Sequence, residues 1–438
     1  MVQIEGRNVE EIVACIEAAL ADGRATAGLR LPTVRELATS LGISTATVSA
    51  AYRELRWRGL VSTHRRGGTR VTSRTAFPPG LSRLDAPVGL VDLASGHPDP
   101  ALLPALDLAF GHLREPTRLY DGPSVHPALE RLARAEFEAE GLSAPALAVV
   151  HGGLQALALT LRTCTTPGDL VALEDPVAPP MRHLVQSLRL VPVPVPVDDD
   201  GMDPVALAAA LRRGARAAVW CLRAQNPTGA TFGPERAAAI AAALSVRRDV
   251  VVIENDHMGP VAGVACVSPG VLAGHPRHVV IRSVSKWLGP DLRIAVMAGD
   301  DETIARVERQ QALEARWASH VLQQAVAALW GSPAIARLLA RAADTYAARR
   351  LRLVEALARH GVQAAQGHGF NLWIPVVEEA GAVRDLAASG WAVAPGEAFR
   401  LRSGPGFRIT AATLNAERAE RLAGDVSRAL RPSAGRLA

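Results

Sequence analysis

From residue 91 onward, runs of four to six apolar residues alternate with longer Ala- and Leu-rich stretches of helical spacing. The runs fall at 146–150, 170–173, 217–222, 250–253 and 278–281. A strand covered on both faces reads as an unbroken apolar run, and parallel neighbours need a crossover, usually a helix. The pattern therefore rules out an all-helical or all-β body and predicts an α/β body around a mostly parallel sheet. After about residue 300 helices dominate, with short strands expected near 370–374 and 407–410, as in a smaller α+β lobe. The run VPVPVPV at 191–197 reads as an edge or connecting strand, because proline cannot donate to a central ladder.

A chain of 438 residues exceeds one ordinary domain, and the first residues follow a different pattern. Residues 8–22 read as a helix burying Ile12, Ile16, Ala19 and Leu20. In LPTVRELATSLG, Thr33 is a helix N-cap, Glu36 completes a capping box, and Gly42 ends the helix. Ser44 caps a third helix, STATVSAAYRELRWRG, which buries Val48, Ala51, Tyr52 and Leu55. Two helices joined by a short turn form a helix-turn-helix, whose second helix enters the DNA major groove N-terminus first. Thr45, Thr47 and Ser49 lie at that N-terminus. LVSTHRRGGTRV then predicts a β-ribbon wing whose tip offers His64, Arg65, Arg66, Gly67 and Gly68 to the sugar-phosphate backbone. The predicted organisation is a winged helix-turn-helix, mainly α, over 1–74, a proline-containing linker over 75–91, and the body over 92–432.

Charge follows the same division. The net charge is +5, and residues 1–74 hold eleven arginines against seven acids, a surplus of four that leaves +1 for the rest. A basic head on a near-neutral body suits a binder of phosphate backbones. Of the 48 basic residues one is lysine, Lys286. Arginine keeps its proton at working pH, whereas a buried lysine can become a neutral nucleophile, so this surviving lysine is a candidate for chemistry. It follows the predicted strand at 278–281 in SVSKWLGPDLR, between Ser283, Ser285 and Arg293, as suits an aldehyde cofactor bearing a phosphate. Gly152 and Gly153 open a helix after the strand at 146–150, where free N–H groups attract anions. Asn226-Pro-Thr-Gly229 and Asn255-Asp256-His257 also follow strands, at the carboxyl edge where α/β proteins bind ligands.

These residues carry two resemblances. LPTVRELA, STATVSAAYREL and GGTRV resemble the head of the GntR family over nearly all of residues 9–71, which implies Arg35, Thr47, Gly67 and Gly68 as contacts to double-stranded DNA. The arginine common in that family after Ser44 is Thr45 here. DLASGHPDP, RAQNPTG, SVSKWLGPDLR and FRITAATLN resemble fold-type I pyridoxal phosphate enzymes of the aminotransferase class, over about residues 92–430. Head and body together resemble the MocR subgroup of GntR regulators, nearest to its regulators of vitamin B6 salvage. The resemblance implies pyridoxal 5'-phosphate as cofactor, with Lys286 forming the Schiff base. It places the phosphate on Gly153, Leu154, Ser283, Ser285 and Arg293, the pyridine O3' on Asn226 and His257, and the carboxylate of an amino-acid-like effector on Arg408. It also implies a homodimer.

Two positions depart from the pattern. The family sets an aspartate against the pyridine nitrogen, and this chain reads Glu254-Asn255-Asp256-His257, so either Asn255 or Asp256 takes that place. An aromatic that stacks on the ring is replaced by Ala178. Both changes cost turnover more than cofactor binding, favouring a sensor over the alternative, an aminotransferase with an appended DNA-binding head. The four cysteines lie far apart, as reduced thiols, so neither a disulfide framework nor a metal site is expected. No signal peptide or membrane span is read, and a cytoplasmic location is expected.

Overall fold

The computed structural model describes residues 3–57, 60–64, 68–72, 87–111, 119–142 and 145–431, in two compact units, a head and a body. Arg65, Arg66 and Gly67 of the wing tip, and most of the linker, lie outside the described residues.

The head has three helices, α1 (Val9–Ala21), α2 (Val34–Leu41) and α3 (Thr45–Trp57), and an antiparallel wing of β1 (Val61–His64) and β2 (Gly68–Val71). Local chemistry sets each boundary. The Asn8 side chain accepts from Glu11 N at 2.9 Å and caps α1. Thr33 and Glu36 exchange both bonds of the capping box, at 3.2 and 2.7 Å, which stabilises the start of α2 by about 1 kcal/mol. Gly42 ends α2 in the left-handed conformation, φ +65°, which glycine adopts without a Cβ penalty. Ile12, Ile16, Val48, Ala51, Tyr52 and Leu55 meet in one core, as their spacing predicts. Truncating Leu55 to alanine there would cost about 2–5 kcal/mol.

The body opens with β3 (Val91–Leu93). Then come β4 (Ala146–Val150), β5 (Leu170–Asp175), β6 (Val191–Asp198), β7 (Gly201–Met202), β8 (Ala217–Cys221), β9 (Val251–Asp256), β10 (His278–Ser283) and β11 (Ala295–Gly299). Eight of these form one sheet in the order β4-β11-β10-β9-β8-β5-β6-β7. Strands β5, β8, β9 and β10 are mutually parallel, and β11 runs against both its neighbours. Of the strands with unbroken apolar runs, β5, β8, β9 and β10 take the interior of this mixed sheet, and β4 forms one of its edges. Strand β6, with its alternating prolines, sits next to the edge; β7 pairs with it only at Val197 and Asp198, beyond the prolines.

A second sheet joins β12 (Asn371–Pro375), β13 (Trp391–Pro395) and β14 (Gly406–Thr410) to β3, in the order β12-β14-β13-β3. It packs Leu372, Trp391, Phe407 and Ile409 against the helices Pro333–Arg359 and Ala416–Leu430, forming the smaller lobe. No helix of the described residues is long and apolar enough to cross a membrane.

Candidate functional site

The large sheet places the C-terminal ends of β4, β8, β9 and β10 along one edge, and the loops that leave them carry most of the residues singled out in the sequence. An ion-pair clamp fixes three of these ends. Asp256 is fully buried and lies opposite Arg282 across the β9–β10 pair. It accepts from Arg282 Nε at 2.8 Å and from Arg223 Nε and Nη2 at 2.9 and 2.8 Å. Burial alone would raise its pKa, but the two guanidinium groups hold it well below the usual carboxylate range. Arg282 also reaches Glu136 and Glu140, so both cations are paired. Asp256 is thus committed to strand alignment, on the β9 face opposite Asn255.

On that other face Asn255 is half-buried beside Met181 Sδ and Cys221 Sγ, at 4.0 and 3.9 Å. His257 follows on the same side. Its Nδ1 is buried with no hydrogen-bond partner among the described residues. Burial and the nearby Lys286 amine lower its pKa to about 4, so the ring is neutral and keeps a free polar atom. Lys286 Nζ donates to Gly96 O at 2.7 Å and lies 6.0 Å from the centre of the Phe370 ring. Burial, then the positive Arg408, lower its pKa to about 8. An amine in that range is neutral often enough near pH 7–8 to attack a carbonyl.

Arg408, on β14, is buried at 2% exposure. It donates through Nη1 to Asn226 Oδ1 at 3.0 Å and through Nη2 to Ala94 O, and lies over the Phe399 ring. Its Nε has no partner among the described residues, and burial lowers its pKa to about 10. A buried guanidinium with no carboxylate paired to it suits an incoming carboxylate.

A small cradle forms at the start of the helix Gly153–Cys164. A Cβ at Gly152 would lie 2.8 Å from Arg293 Nη2, and one at Gly153 would lie 3.3 Å from Ser283 Cβ. Ser283 Oγ and Ser285 Oγ are 3.1 Å apart. Arg293 is exposed, in the left-handed conformation at φ +50°, and Leu154, the second helical residue, is 40% exposed. N–H groups of a helix start, two hydroxyls and a guanidinium together suit a phosphate. Glycine at 152 and 153 leaves room that any side chain would fill. The cradle, the lysine and the orphaned His257 nitrogen fit a phosphorylated aldehyde with a ring hydroxyl. Ala178 stands just before the helix Pro179–Ser187, where it offers a methyl group and no ring.

Several participants escape a motif search. Gly96, at φ +70°, approaches so closely that a Cβ there would stand 3.0 Å from Arg408. The only hint is the glycine in DLASGHPDP. Glu174, on β5, is fully buried, with Oε1 unpartnered among the described residues, and burial raises its pKa to about 8. It lies beside Cys221, on the side of the sheet where Asn255 points, and nothing in its local sequence announces that proton.

In the head, Arg35, Thr45 and Ser49 are exposed and Thr47 is half-buried, on the helix-turn-helix. Ser44 Oγ accepts from Thr47 N at 3.1 Å and lies 2.8 Å from Thr47 Oγ1, so the Thr47 hydroxyl is pre-oriented by the cap. Gly68 opens β2 at φ +70°, and the backbone of His64 ends β1 opposite it.

Comparison with known proteins agrees with both units. Residues 8–71 match the model of the bacterial regulatory proteins of the gntR family, and residues 88–426 that of aminotransferase class I and II. The vitamin B6 salvage pathway transcriptional repressor PtsJ of Salmonella typhimurium is 37% identical over 433 residues, covering 98% of this chain and 99% of its own. The pyridoxine biosynthesis transcriptional regulator PdxR of Corynebacterium glutamicum is 26% identical, covering 76% of this chain and 74% of its own. Among solved structures, the α-aminoadipate aminotransferase LysN of Thermus thermophilus, complexed with N-(5'-phosphopyridoxyl)-L-leucine, superposes with a TM-score of 0.68. That match has 23% identity, over 81% of this chain and 97% of that one, and shows a shared fold.

Proposed function

The chain belongs to the gntR family of bacterial regulatory proteins and carries an aminotransferase class I and II body, and from that premise we propose that it is a transcription regulator whose affinity for DNA depends on pyridoxal 5'-phosphate held at Lys286. One observation carries the reading. A DNA-binding head shares its chain with a site where the single lysine, a cationic guanidinium and a neutral histidine have no acidic partner in contact among the described residues, beside a glycine-cleared cradle.

When bound, the cofactor supplies an aldehyde for an amine, a phosphate for anchoring and a ring that withdraws electrons. The residues of this chain divide the work of holding it. Lys286 offers the amine, and Gly96 O orients it. Gly153, Leu154, Ser283, Ser285 and Arg293 bind the phosphate. Asn226 and His257 hold the ring hydroxyl. Asn255 would face the ring nitrogen, where an amide carries no charge to keep a proton and so would support only weak electron withdrawal. Arg408 receives the carboxylate of an amino-acid-like effector. Retention of the cofactor is thereby favoured over turnover, as suits a sensor of vitamin B6 status in the cytoplasm.

Arg35, Thr45, Thr47, Ser49 and the wing make the DNA contacts, and a homodimer presents two heads to two half-sites. Linkage sets the test. Operator affinity of the full chain, measured with and without pyridoxal phosphate, should differ by about 5–150-fold. Equal affinities across the cofactor's binding range would refute the dependence. Arg35→Gln should weaken binding to all sequences and flatten the salt slope by about one unit if it meets one phosphate.

A further inference from the structure

Beyond the loop 226–229, the body contains a second cavity of about 180 Å³, lined by Gly263, Arg350, Leu351, Gln366, Gly367 and His368 among others. Arg350 lies on the long helix Pro333–Arg359 and is 2% exposed. Its Nε donates to Gln366 O, and its Nη2 donates to Thr228 O at 3.2 Å and Ala365 O at 3.1 Å. Its Nη1 is buried with no partner among the described residues, and no described carboxylate forms an ion pair with it. His368 Nδ1, on the same cavity wall, is buried and likewise unpartnered. Backbone has been cleared around the guanidinium: a Cβ at Gly229 or Gly367 would stand 2.8 or 2.6 Å from Nη2.

A cation buried among carbonyls, with unspent donors and no carboxylate in ion-pair contact among the described residues, is destabilising until an anion arrives. Burial, offset in part by the charge of Asp199, lowers the Arg350 pKa to about 9, so it still carries its charge near neutral pH. The planar guanidinium matches the spacing of two oxygens on a carboxylate or phosphate. The cavity has ample room for an ion of a few heavy atoms and accompanying water.

We propose that this cavity is a second ligand site, distinct from that of Lys286, which takes a small oxyanion, carboxylate or phosphate, on Arg350 and His368. The site bears on the first through shared backbone. Thr228 O accepts from Arg350 and Gly229 O from the backbone N–H of His368, at 2.7 Å, while Asn226 of the same loop accepts from Arg408. One residue beyond the cavity wall, the Phe370 ring lies 6.0 Å from Lys286 Nζ. An anion that draws on Arg350 therefore acts on the loop that holds Asn226. The binding claim rests on Arg350 and His368 and stands without the cofactor reading.

Calorimetric titration of the full chain, saturated with pyridoxal phosphate, tests it with inorganic phosphate in one series and acetate in another. The expected result is one anion per chain, bound at least tenfold more weakly by Arg350→Gln. Leu351→Glu should weaken it similarly, because it sets a negative charge on the wall at a position already 46% exposed, where folding is not at risk. Arg293→Gln, which alters the cradle near Lys286, should leave this binding unchanged. A response to phosphate alone identifies a phosphate ligand, and a response to acetate a carboxylate. No binding by wild type, wild-type affinity in both cavity variants, or loss confined to Arg293→Gln would each overturn the second site.

Discussion

The two faces of strand β9 use charge in opposite ways. On one, Asp256 is ionised, holds Arg223 and Arg282, and leaves none of the three short of a partner. On the other, Glu174 keeps its proton up to a pKa of about 8, Asn255 carries no charge, and Lys286 and Arg408 are cations without an acid beside them. Glu174 and Arg408 are as buried as Asp256 and Arg223, so burial alone does not explain the difference. The paired face aligns three strands. The unpaired face keeps its groups poised because their natural partners are not supplied by the fold. Where a protein leaves buried polar groups unsatisfied, at a cost of about 1–3 kcal/mol each, a ligand is the simplest account of the expense.

The largest test of this contrast lies on the paired side. Asp256→Asn strips two buried guanidinium groups of their shared carboxylate, and should destabilise the body by about 3–5 kcal/mol in denaturant unfolding. A loss near zero would mean that Glu136 and Glu140 suffice to hold both arginines. Glu174 comes next. Its pKa is raised from 4.5 in the unfolded chain to about 8, so the unfolded state releases the proton first as pH rises. Wild-type stability should therefore fall between about pH 5 and 8, by up to ~3 kcal/mol, and level off above. Glu174→Gln should remove the decline; an unchanged profile would assign it to other groups.

How much of this was legible in sequence follows the same division. The head could be read almost residue by residue, since caps, turns and the spacing of Val48, Ala51, Tyr52 and Leu55 are local signals. The apolar runs announce the parallel core, and Lys286, Ser283, Arg293 and Arg408 can be singled out because each sits in a motif. Sequence left the choice between Asn255 and Asp256 open, because it turns on which face of a strand each residue occupies and on Arg223 and Arg282, distant in the chain. Gly96 and Glu174 were invisible for a like reason: their roles arise from what packs against them. The Arg350 cavity joins residues from three separate segments, and no local pattern marks it.

Asn255→Asp probes the unpaired face by giving it the charge it lacks. Without cofactor, the new carboxylate lies near Cys221 and protonated Glu174, with no described cation in contact with position 255, and stability should drop by about 1–2 kcal/mol. With cofactor, a carboxylate against the ring nitrogen would hold a proton there and strengthen electron withdrawal. Loss of the cofactor's visible band on mixing with amino acids should then speed up by about tenfold, a barrier change of ~1.4 kcal/mol. An unchanged rate would mean that Asn255 does not face the nitrogen. Normal stability would mean that Lys286 or Arg408 reaches the new carboxylate.

The smallest expected change in stability, and the sharpest in function, is Lys286→Met. The amine is held neutral more often in the folded chain than in the unfolded one, with its pKa lowered from 10.5 to about 8. Between those values the unfolded state binds more protons, so wild-type stability should rise with pH from about 8 to 10. Near pH 7 the folded state instead bears the cost of a charged, desolvated amine beside Arg408. A methionine of similar length removes that cost along with one hydrogen bond to Gly96 O, and the two nearly cancel. Stability without cofactor should therefore shift by less than about 1 kcal/mol, and the rise above pH 8 should vanish. The same variant should show no visible band that borohydride bleaches, because it offers no amine to the aldehyde. A large loss of stability would make Lys286 a structural residue like Asp256, and the contrast between the two faces would fail at its central group.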